Sequence, residues 1–147
     1  MTAVFVDSSV WIDHLRGTAS PAVGALRRLL DALDPDTGED DPAEVLVGDL
    51  VLLEVLRGID DDRQQDATRT ALLAFPQVEL GGTGTALAAV EHHRALRRLG
   101  ITVRKAVDCL IAAWCIAQAV PLLHNDRDFL PLAAHCGLRE FAVGDLR

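Results

Sequence analysis

No apolar stretch in the 147-residue sequence reaches the length of a membrane span. A strand-like run begins within three residues of Met1, so a signal peptide is not expected either. Cysteine is scarce: Cys109, Cys115 and Cys136 form an odd set without metal-ligand spacing. Two of them fall in one apolar helical segment, which suggests core thiols in a reducing, cytoplasmic setting rather than a disulfide framework or a zinc site. Positive charge is short as well, with 14 Lys and Arg against 22 Asp and Glu and a net charge of −8. That balance argues against a broad nucleic-acid-coating surface, which needs cations to neutralise phosphates. It leaves room for a nuclease whose bound metals supply the local positive charge. Lys105 is the single lysine beside thirteen arginines, a bias read as genome composition. Internal repeats and dividing linkers are also missing, so residues 1–147 are expected to form one domain.

Half of the residues are hydrophobic, enough for a packed core. Much of the acidic excess is local. The stretch Asp34–Glu44 (DPDTGEDDPAE) holds six acids, two prolines and a glycine, and reads as a solvated surface loop inserted between elements. Elsewhere short apolar runs alternate with helical periodicity. Strands are expected at 3–6, 45–47, 78–80 and 120–124, with a last one near 140–143. Helices are expected from Ser8 or Ser9 as cap to Arg16, from Pro21 to Leu33, from an Asp49 cap to Arg57, and over 60–74, 85–99, 103–119 and 128–135. Gly17, Gly58 and Gly100 mark three of the helix ends, and Gly81–Gly84 a turn. The pair His92-His93 lies in an Arg-rich helix, where it reads as surface. Strands separated by helices imply crossover units: an α/β fold with a short, mainly parallel sheet and helices on both faces.

Asp7 follows the run Ala3-Val4-Phe5-Val6, and Asp126 follows Val120–His124, so each carboxylate stands at the carboxyl end of a strand. Ligands of open parallel sheets bind there. Asp7 is equally suited to capping the first helix. Glu54 is flanked by Leu50, Val51, Leu52, Leu53, Val55 and Leu56, where a buried unpaired carboxylate would be costly. An ion pair with Arg57 is the plainer alternative. Asp108 opens VDCLIAAWCIAQA, a helix apolar nearly all round and therefore central, and its first-turn position also suits the helix dipole. Asp128 fits an N-cap of the following helix. Each acid alone has such an explanation. Four of them converging would repel one another unless a divalent cation shared the site, and all-oxygen ligation suits Mg²⁺ or Mn²⁺. His124 ends a strand without a His partner at ligand spacing, so a structural or supporting role is expected for it. His92-His93 lacks a third zinc ligand.

The ordered blocks VFVDSSVWIDHLRG, LVLLEVLRG, AVDCLIAAWCIAQ and LLHNDRDF give the chain a resemblance to PIN-domain ribonucleases. Within that family it looks most like the VapC toxins of bacterial type II toxin–antitoxin pairs. The resemblance implies a three-layer α/β/α PIN-like fold and a metal-dependent endoribonuclease. Asp7, Glu54, Asp108 and Asp126 match the family's four acidic positions, Asp128 an auxiliary acid, and Ser9 (or Ser8) the hydroxyl near the first Asp. Asp7, Asp108 and Asp126 would hold one or two Mg²⁺ or Mn²⁺ ions, with Glu54 ligating or orienting the attacking water. A VapB-like antitoxin and a homodimer are the partners it implies. The long Asp34–Glu44 loop departs from many relatives.

Arg94, Arg97, Arg98, Arg104 and Lys105 form a basic stretch that either holds RNA phosphates or is a solvated helix face with pairs such as Glu91–Arg94. Two other folds with strand-end aspartates fit less well. A haloacid-dehalogenase-type phosphatase needs an acid where Ser9 stands, and a receiver domain needs a late lysine that Lys105 does not supply. A PIN-domain nuclease of RNA processing and a catalytically silent PIN-fold binding module remain the alternatives to a toxin.

Overall fold

A computed structural model describes residues 2–143 of the chain. Four parallel strands make its sheet: β1 (Ala3–Val6), β2 (Glu44–Gly48), β3 (Gln77–Val78) and β4 (Leu122–Leu123), in the spatial order β3-β2-β1-β4. Seven α-helices connect them among the described residues: α1 (Ser8–Arg16), α2 (Pro21–Ala32), α3 (Asp49–Arg57), α4 (Asp62–Leu73), α5 (Thr83–Arg98), α6 (Ala106–Gln118) and α7 (Leu130–His135). The architecture is the expected three-layer α/β/α arrangement. The first four helices contact one another (α1 with α2 and α3, α3 with α4), and α5 forms a second group with α6 and α7. No described helix is long and apolar enough to cross a membrane.

The central strands show why a parallel sheet forms here. Val4, Phe5 and Val6 have no exposed surface, and Val45 and Val47 almost none. Both sheet faces are therefore covered, which favours continuous apolar runs over alternation. Phe5 carries the core outward to α6, its ring centroid 5.7 Å from that of Trp114. α6 buries Cys109, Ile111, Ala112, Ala113 and Cys115 and is the central helix its composition suggested. All three cysteines are free, and burial pushes the Cys115 thiol up to about 12 and Cys109 upward too, as expected of inert core thiols.

Several element ends differ from expectation, each for a local reason. Of the cap candidates, Asp7 and not Ser8 or Ser9 caps α1, as its place before Ser-Ser also allowed: its carboxylate accepts the Ser9 N–H, while Ser8 is buried. Gly48, not Asp49, is the N-cap of α3. A Cβ at Gly48 would lie 2.7 Å from Phe5 Cζ and 2.8 Å from Leu80 Cδ1. The neighbouring Asp49 Oδ1 instead accepts the N–H groups of Leu50 (2.8 Å) and Leu80 (3.1 Å), tying the exit of β3 to α3. β4 is shorter than the apolar run because Ala119 takes the left-handed conformation (φ 55°) and the Val120 N–H bonds back to the Cys115 carbonyl, ending α6. α6 also begins later, at Ala106, since Lys105 is extended. The expected last strand reduces to one parallel bridge between Leu122 and Glu140. The acidic loop is exposed over 34–41, as expected, with a single 3-10 turn at Pro35–Thr37.

Candidate active site

The register of the central strands brings the sequence's first and last strand-end acids together. β1 pairs with β4 through Phe5–Leu122 and Val6–Leu123, and the Asp7 N–H continues the ladder to the Leu123 carbonyl at 3.0 Å. Asp7 thus stands beside the segment His124–Asp128 that leaves β4. The Ser9 hydroxyl closes this junction: it donates to Asp7 Oδ2 at 2.6 Å and accepts the Asn125 N–H at 3.1 Å. Asn125 in turn donates from Nδ2 to Asp13 Oδ2 at 3.2 Å. Neither Asn125 nor Asp13 was singled out by the sequence. Asn125 is visible there only as the residue between a strand-end His and Asp126.

Asp126 is the cap of a 3-10 turn at Arg127–Phe129, its Oδ1 accepting the Asp128 N–H at 3.0 Å. Asp128 was expected to be the cap; because Asp126 fills that place, the Asp128 carboxylate is free to face Asp108. One ligand-type oxygen from each of Asp108, Asp126 and Asp128 lies within 4.8 Å of the others, the tight carboxylate set among the described residues. Asp108 arrives from the first turn of α6 and is 4% exposed. Burial raises its pKa to about 7, with the charges of Asp7 and Asp126 adding to the effect and Lys105 opposing it. Its Oδ2 is buried without a hydrogen-bond partner. Asp7, 3% exposed, is also raised by burial, against the lowering effect of its bonds from Ser9.

The other expected site residues are placed as follows. Glu54 is half-buried on α3, and its Oε1 accepts the Ser8 hydroxyl at 3.1 Å, so α3 joins the start of α1 next to Asp7. Among the described residues no ion pair joins Glu54 to Arg57. Lys105 reaches the carboxylate set directly: Nζ is 3.3 Å from Asp126 Oδ2, and this contact raises the lysine's pKa. Arg94, Arg97 and Arg98 are exposed on α5 and line a shallow depression with His93, while Arg104 is exposed just before α6. No Glu91–Arg94 ion pair forms among the described residues. His92 and His93 are half-buried rather than on the open surface, and burial lowers His92.

The donor set suits a hard divalent cation. An orphaned, buried carboxylate oxygen, two further acids within ligand reach and no sulfur or imidazole among them make an all-oxygen set that could hold such an ion. Away from these acids, a groove bordered by α1, α2 and α4 is floored by Trp11, Leu30, Ala71, Leu72 and Phe75. Trp11 Nε1 and His14 Nδ1, both from α1, are buried there without partners.

The PIN domain family model matches residues 4–134. The VapC ribonuclease Mb1587 of Mycobacterium bovis is 31% identical over 126 residues, covering 86% of this chain and 88% of that protein. Ribonuclease VapC11 of Mycobacterium tuberculosis matches equally, at 31% over 126 residues with the same coverage of 86% and 88%. Among solved structures, VapBC2 from Rickettsia felis, bound to a DNA fragment from its promoter, superposes with a TM-score of 0.70. Its identity is 14%, covering 95% of this chain and 98% of that one, so the likeness is one of fold. VapBC-1 from nontypeable Haemophilus influenzae gives a TM-score of 0.69 at 12% identity, over 97% and 99% of the two chains.

Proposed function

The chain belongs to the PIN-domain family, and on that premise we propose that it is a metal-dependent endoribonuclease, the toxin of a VapBC-type toxin–antitoxin pair. The observation that carries this reading is Asp108. A carboxylate that is buried, raised to about 7 and unpartnered at one oxygen, with two acids alongside, is poorly stabilised by protein groups alone and well matched to a cation.

Asp108, Asp126 and Asp128 would hold one or two Mg²⁺ or Mn²⁺ ions, with Asp7 completing the set from the end of β1. Such an ion, when bound, supplies a water of lowered pKa and stabilises charge on phosphate oxygens. The chain's own groups do the rest. Glu54, steadied by the Ser8 hydroxyl, orients the attacking water and accepts its proton. The Ser9 hydroxyl holds Asp7 and the Asn125 backbone at a fixed separation. Lys105 offers an ammonium to the phosphate beside the cut, and Arg94, Arg97, Arg98 and Arg104 contact the flanking backbone.

The partners in this reading are RNA, a VapB-like antitoxin and a second copy of the chain. The structural neighbours that are VapBC assemblies support the antitoxin. The apolar groove of α1, α2 and α4 is the surface an amphipathic antitoxin segment would take.

The test is cleavage of total RNA by purified protein with Mg²⁺, Mn²⁺ or EDTA. Wild type should cleave only with metal, and Asp108→Asn should lose at least a hundredfold while staying folded. Cleavage by Asp108→Asn at the wild-type rate would sink the assignment. Cleavage without growth arrest on expression would favour an RNA-processing nuclease, and absence of cleavage a binding module.

A further inference from the structure

His124 is held more firmly than a strand-end residue needs. Its side chain is 8% exposed, and its ring centroid lies 4.9 Å from that of Phe129. Both ring nitrogens are engaged. Nδ1 faces the Asp126 backbone N–H at 3.2 Å, and Nε2 faces Glu140 Oε2 at 2.6 Å. A backbone N–H can only donate, so Nδ1 must offer its lone pair. The ring proton therefore sits on Nε2, where the Glu140 carboxylate accepts it. Glu140 is brought there by the backbone on either side of it: Leu122 N–H bonds to the Arg139 carbonyl at 2.9 Å, and Phe141 N–H to the Leu122 carbonyl at 2.8 Å. A carboxylate 41% exposed could point to solvent, yet this one points at His124.

We propose that His124 and Glu140 are a positioning pair for Asp126, through which the segment 138–141 sets the aim of a carboxylate in the metal-binding set. The proposal rests on the metal-site reading above. Glu140 selects the tautomer, the tautomer supplies an acceptor to the Asp126 N–H, and the Asp126 backbone so fixed directs Oδ1 to the Asp128 N–H and Oδ2 to the Lys105 ammonium at 3.3 Å. Such outer partners fix the orientation of ligating side chains, and their loss weakens metal affinity about 10–100-fold.

The two ring nitrogens can be imitated separately. In His124→Asn the amide oxygen falls near the position of Nδ1 and can accept the Asp126 N–H. In His124→Gln the longer amide reaches toward Glu140 and offers the Asp126 N–H nothing. Calorimetry with Mn²⁺ on the full chain should give an Asn variant close to wild type and a Gln variant weakened about 10–100-fold. Thermal midpoints recorded in EDTA separate this from general destabilisation. In the metal-free protein, nitrogen NMR of the imidazole should show the proton on Nε2 in wild type and a tautomer mixture in Glu140→Ala. The exchange protection of the Asp126 amide should survive in His124→Asn and vanish in His124→Gln. Equal Mn²⁺ affinities for the Asn and Gln variants, or a wild-type proton on Nδ1, would overturn the pair. If wild type failed to bind Mn²⁺, the metal reading would fall, and the amide protection and tautomer would still decide the positioning role.

Discussion

Asp108 gathers three kinds of strain on one side chain: it is nearly enclosed, it faces other acids, and one oxygen has no donor. The folded protein therefore keeps a proton on it up to about pH 7, whereas an unfolded chain releases that proton near the ordinary value of 3.8. Between those two values the folded state binds more protons than the unfolded one. Metal-free stability should then be highest on the acid side of this window and fall as pH rises from about 4 to 7. Asp7, also raised, acts in the same direction. Asp108→Asn removes this liability and should stabilise the EDTA-treated protein by about 2 kcal/mol at pH 7, with little change at pH 4. Urea unfolding of both proteins at the two pH values checks it; an unchanged gap between pH 4 and pH 7 would contradict the assignment. On the proposed metal reading, saturating Mn²⁺ should reverse the order at pH 7, because wild type gains more from the ion than a variant lacking one ligand.

At the scale of elements, the site depends on where strands stop. β2 passes directly into α3 at Gly48, and the Phe5 ring and Leu80 leave no space there for a methyl group. Gly48→Ala should destabilise the fold by about 1–3 kcal/mol through overpacking, measurable as a lower urea midpoint. A midpoint equal to wild type would mean that Phe5 moves freely aside. This contact also marks what a sequence can and cannot convey. The apolar runs of β1 and β2, the Ser20-Pro21 start of α2 and the Gly17 stop of α1 were all legible, because each depends on residues within a turn of one another. The bond between Asp49 and Leu80, the Ser8 grip on Glu54 and the crowding at Gly48 depend on residues dozens of positions apart, and no local pattern announces them. The same division runs through the site. Glu54 and Asp108 stood out as charges in apolar surroundings, and Asp7 and Asp126 as acids at the ends of apolar strands. That Asp126 caps the turn and releases Asp128, and that Asn125 joins Ser9 to Asp13, required the fold.

For the whole molecule, the charge distribution matters more than its sum. A chain of net charge −8 keeps Arg94, Arg97 and Arg98 exposed on one helix and Lys105 at the mouth of the carboxylate set. On the ribonuclease reading, RNA binding by so acidic a protein should rest on few phosphate contacts and therefore show only a shallow salt dependence. In an Asp108→Asn background, Arg97→Ala should weaken RNA binding across sequences and reduce the salt slope of the affinity by about one. An unchanged slope from fluorescence anisotropy titrations would take Arg97 out of the interface.

The pairing of β1 with β4 joins the start of the chain to a strand made more than a hundred residues later. Long-range parallel pairing of this kind forms late in folding. A ribosome that has released α5 has delivered Asp7 and Glu54, but Asp108, Asp126 and Asp128 are still to come. The Ser9–Asn125 clasp has no second half, and Glu140 has not yet emerged to hold His124. The acidic pocket is thus completed only when the segment from β4 to Glu140 docks on β1 and Ser9.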